Sequence, residues 1–149
     1  MAALQTFPKV LGAVLKKELW PEEAYCRAVL TVDIANLAVV IGTTVVDDGA
    51  TGTYAQVPAN ATVIVASDPV AIIIDPELSE KIGTATTGTF SLICLVKGPS
   101  VVASGLLTFV GTDAATDTPA EIATNVATVK ASLVAADIKL ESTFSAQQS

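Results

Sequence analysis

Short apolar runs, each closed by glycine, proline or small polar residues, set the rhythm of this chain. Residues 25–32 (YCRAVLTV) alternate apolar and polar positions with the period of two that predicts a half-buried strand. Residues 37–46 (LAVVIGTTVV) form a β-branched run broken by Gly42, which predicts a strand with a bulge or a close backbone approach at the glycine. Three further strands are predicted at 54–57, 62–66 (TVIVA) and 70–74 (VAIII), separated by the turn-forming Pro58-Ala59-Asn60 and Ser67-Asp68-Pro69. Residues 71–74 are apolar at every position, which predicts a central strand buried on both faces. Residues 92–97 read as a buried strand that stops at Gly98-Pro99, where proline fixes φ and removes a donor. Val101-Val102 and a return strand over 105–110 follow. Ile138, Leu140 and Phe144 alternate with polar residues as a last strand.

The helical period is rarer. Thr118-Pro119-Ala120-Glu121 carries a cap residue, proline in the first helical position and a glutamate three residues after the cap, the elements of a capping box. Ile122, Val126, Val129 and Leu133 then fall on one stripe of a helix of about four turns. Its opposite face is Ala, Thr and Ser, which suits a covered surface. Val10, Leu11, Val14, Leu15 and Leu19 predict a short amphipathic helix or turn over 9–19, ended by Trp20-Pro21. Residues 75–81 read as a polar connection with room for one helical turn, and Asp47-Asp48-Gly49 as a solvated turn. The expected fold is mainly β with a small α/β portion. It is a compact β-rich domain over 25–149, with one C-terminal amphipathic helix, preceded by an extended N-terminal arm over 1–24.

Composition changes this picture in one respect. With 51% apolar residues, 15% charged residues and a mean hydropathy of +0.59, the chain has too little charge to coat its own surface. Ser, Thr, Asn, Gly and Asp interrupt every apolar run, so a membrane span is not expected. Coverage by a partner in an assembly is the simplest account. The formal charge of −7 argues against nucleic acid, whose phosphates need cations. Residues 1–30 hold four cations against three carboxylates, so the acidity lies in the rest of the chain.

Candidate chemistry is sparse. The chain has no histidine, which removes the commonest general base and metal ligand. Glu22-Glu23, Asp47-Asp48 and Glu77/Glu80 are carboxylate pairs in polar turns, where solvation keeps acidity ordinary. The glycines of 83–88 come without the lysine of a phosphate cradle. Lys97 beside Gly98 could serve as a buried amine nucleophile, although a lysine ending a strand is ordinarily solvated. Cys26 and Cys94 are expected as free thiols. Arg27, the only arginine, could clamp a carboxylate within or between subunits. Trp20 reads as a cap on the core or an anchor at a partner interface. No catalytic residue, metal site or cofactor is expected, and the chain is not expected to be an enzyme.

Several stretches in order carry a resemblance: YCRAVLTV at 25–32, IANLAVVIGTTV at 34–45, VAIIID at 70–75, LVKGPSVV at 95–102 with LLTF at 106–109, and a closing helix followed by Asp137-Ile138. Together they resemble the bacteriophage head decoration proteins of the phage lambda type, in which a Gly-Ile pair follows the helix where Asp137-Ile138 stands here. The resemblance implies a structural protein of the virion, made in the host cytoplasm and carried on the outer surface of the capsid. Three copies would sit at threefold positions of the mature expanded head and cement it against genome pressure. The implied partners are the major capsid protein and the chain itself as a homotrimer, with no nucleic acid and no membrane. The arm would meet the shell through Leu4, Phe7, Pro8, Val10, Leu11, Leu15 and Trp20, adding a strand to a capsid-protein sheet. Strand-edge and helix surfaces would make the trimer, with Arg27, Lys97 and Pro99 as intersubunit candidates. Alternatives are another virion β-domain, such as a tail-tube or head-fibre component, or a secreted carbohydrate-binding or adhesin-like β-domain. The last would want exposed aromatics for sugar stacking, and aromatics are only 5% of the chain.

Overall fold

The computed structural model describes residues 14–18, 26–35, 39–47, 51–55, 64–109 and 118–141. Eight strands and two α-helices are defined among them. The strands are β1 (Leu15–Glu18), β2 (Arg27–Ala35), β3 (Thr44–Val46), β4 (Thr53–Ala55), β5 (Val70–Ile73), β6 (Thr87–Leu95), β7 (Ser100–Ala103) and β8 (Ile138–Glu141). The helices are α1 (Leu78–Ile82) and α2 (Pro119–Ala135). Five strands close a small barrel in the order β2-β4-β3-β5-β6, with β6 returning to β2 along nine register pairs from Arg27↔Leu95 to Ala35↔Thr87. The other three form a sheet in the order β1-β7-β8. The expected β-rich fold with one long C-terminal helix is what the chain adopts.

Two cores divide the apolar residues, and the pleat of β5 and β6 decides which side chain joins which. Ala71, Ile73, Leu92 and Cys94 point into the barrel, where they meet Val32, Ile34, Val45 and Leu78. Ile72, Ile74 and Leu95 point the other way, against Val14, Val102, Val129, Leu133 and Ile138. The run VAIII is apolar on both faces because it stands between the two cores.

Helix α2 begins as its sequence dictates. The N–H of Glu121 donates to Thr118 Oγ1 at 3.2 Å and the N–H of Thr118 donates to Glu121 Oε2 at 2.7 Å, with proline just inside the start. The buried stripe is rotated from the expected one. Asn125, Val129 and Leu133 are fully enclosed, while Ile122 and Val126 are half-buried. Asn125 belongs on the inner face because its Oδ1 accepts the N–H of Ile64 at 2.9 Å.

Four other expectations are corrected. Residues 15–18 are a strand, not a helix or turn, because pairing with β7 supplies the backbone partners that a lone helical turn would have to supply itself. Residues 64–66 are not a strand; Ile64 is held by Asn125 instead of by a neighbouring strand. Residues 104–109 form a 3-10 turn at Ser104–Leu106 and a single bridge from Thr108 to Thr43 in place of a return strand. Asp47 is buried, not solvated. The expected close approach at Gly42 is present: its φ is +97°, and a Cβ there would lie 2.9 Å from the carbonyl oxygen of Leu106. The strand after it is confined to Thr44–Val46.

Candidate functional site

The three intersubunit candidates converge on one corner, built by the LVKGPSVV segment where β6 turns into β7. Val96 and Lys97 both direct their N–H groups at the carbonyl of Cys26, at 2.9 and 3.4 Å. The Cys26 thiol in turn donates to the carbonyl of Pro99 at 3.6 Å. Arg27 is the next residue, opens β2 and lies opposite Leu95. Arg27 is half-buried, whereas Lys97 and Pro99 are exposed. Exposure at its strand end makes Lys97 an ordinary surface amine and not a buried nucleophile.

Gly98 explains the corner's shape. Its N–H donates to the carbonyl of Ala136 at 2.8 Å, and the N–H of Ser100 donates to that of Asp137 at 3.3 Å. These bonds satisfy carbonyls at the C-terminal end of α2, which a helix otherwise leaves without partners. The approach is so close that a Cβ on Gly98 would fall 1.7 Å from the Asp137 oxygen. Asp137 itself has φ +66°, the left-handed region that aspartate tolerates better than most residues. The peptide between Gly98 and Pro99 is cis.

Of the residues expected to meet a shell, Leu15 lies in β1 and is half-buried against the core. Leu4, Phe7, Pro8, Val10, Leu11 and Trp20 lie outside the described residues. So do Asp48 and Gly49 and the expected strand ends at 56–57, 62–63 and 110, together with Phe144. Strand β1 comes from within residues 1–24 and yet pairs with β7, so that segment supplies part of the folded body.

One buried and well-bonded polar group was not singled out from the sequence. Asp75 is fully buried at the end of β5. One oxygen accepts the Lys81 ammonium and the N–H of Ile93 at 3.1 Å, and the other accepts the N–H of Glu77 at 2.9 Å. Burial pushes this carboxyl up, but the Lys81 bond and the two backbone donors outweigh it and leave its pKa below the usual carboxylate value. An ionised, fully bonded carboxylate of this kind locks α1 to β6 and has no proton to give. Asp47 does similar work before β4, accepting the N–H of Thr51 at 2.9 Å and of Gly52 at 2.6 Å. A sequence cue existed in both cases, an aspartate followed by turn residues, but that cue is shared with every solvated turn.

Both cysteines are free and buried. Burial, with Asp75 adding to it, pushes the Cys94 thiol up to about 12, so it behaves as a small apolar side chain. Among the described residues no three His, Cys, Asp or Glu side chains gather as a metal site would require, and no helix is long and apolar enough to cross a membrane. No family model, characterised protein or solved structure matches the chain.

Proposed function

We propose that the protein is a structural decoration protein of a phage head, bound as trimers to the outside of the expanded capsid through the major capsid protein. What supports this most is the Gly98–Asp137 junction. The segment LVKGPSVV and the closing helix were two of the stretches that carried the resemblance, and in the fold they lock together. Asp137 takes the left-handed backbone that a glycine after that helix, as in the family resembled, adopts freely. The outer face of α2 adds support. Ala120, Ala123, Thr124, Ala127, Ala131 and Val134 are exposed there, with Lys130 the one charge among them. Val134 is 60% exposed and Val29 on β2 is 68% exposed, apolar area that an assembly would cover.

The reading is tested by co-sedimenting the purified protein with unexpanded and expanded capsid shells. Binding confined to expanded shells, saturating at three copies per threefold site, is the expected result. Binding to neither form sinks the proposal. The role of the leading segment is tested by deleting residues 1–13 and not 1–20. Val14 is fully buried and Leu15–Glu18 pairs with β7, so the longer deletion would damage the body as well as any shell contact. The shorter variant should keep its melting behaviour and lose attachment; attachment at full occupancy removes the arm from the reading.

A further inference from the structure

We draw no further inference here: the strongest candidate, the exposed small-residue face of α2 running from Ala120 through Ala123, Ala127 and Ala131 to Val134, is an apolar face, and nothing in the structure shows what covers it.

Discussion

The barrel and the sheet-helix half are held together by different means. The barrel carries buried carboxylates at its seams: Asp75 joins β5, α1 and β6, and Asp47 organises the approach to β4. The sheet-helix half relies on backbone fit, with the Gly98 approach to the end of α2, the Asn125 bond to Ile64 and the capping box. The first half should therefore be sensitive to acid and tolerant of small volume changes at its seams. The second should be intolerant of a single added methyl.

The sharpest break is Gly98→Ala. Its Cβ would collide with backbone, which cannot swing aside as a side chain can, so a loss of about 3 kcal/mol or more is expected in urea unfolding. A loss under about 1 kcal/mol would show that the helix end is not held as described. Asp75→Ala comes next, at about 2–3 kcal/mol, because it leaves the N–H groups of Ile93 and Glu77 without their acceptor and removes the ion pair with Lys81. Acid dependence separates it from a packing loss. A carboxyl whose folded pKa is lowered gives its full contribution above its unfolded value, and that contribution fades as pH falls. Wild-type stability from this group should thus be complete above 3.8 and decline below it. Asp75→Asn, followed by chemical denaturation across that range, should flatten part of the decline; an unchanged slope would count against the charge.

Asn125→Ala should cost about 2 kcal/mol with no dependence on pH in the same range, since it leaves one buried N–H without its acceptor. The smallest change has the opposite sign. Asp137→Gly relieves a left-handed residue and should raise stability by under about 1 kcal/mol. A destabilised Asp137→Gly variant would mean that the aspartate side chain contributes something beyond its backbone angle.

The same division explains what was readable in the chain. The start of α2 was legible because Thr118, Pro119 and Glu121 act within four residues of one another. The double-faced burial of 71–74 was legible because composition alone reports it. Asp75 was not, since its partners lie six residues on at Lys81 and eighteen on at Ile93, and only folding brings them to it. Strand β1 was misread because its apolar spacing fits a helical turn, while its partner, β7, lies more than eighty residues away in sequence. Of the candidate site, the grouping of Arg27, Lys97 and Pro99 is visible only once Cys26 is seen to tie both segments together.

The registers on the two sides of β7 carry a consequence for anything joined to this chain. Leu15 and Leu140 are both partners of Val102, one antiparallel and one parallel. The polypeptide therefore enters β1 and leaves β8 at the same end of the sheet, two strand spacings or about 10 Å apart. A tag, a cargo or a tether fused ahead of β1 and another fused behind β8 would start out as neighbours. A short linker between those two points could close the chain into a ring, or move its ends to a new loop.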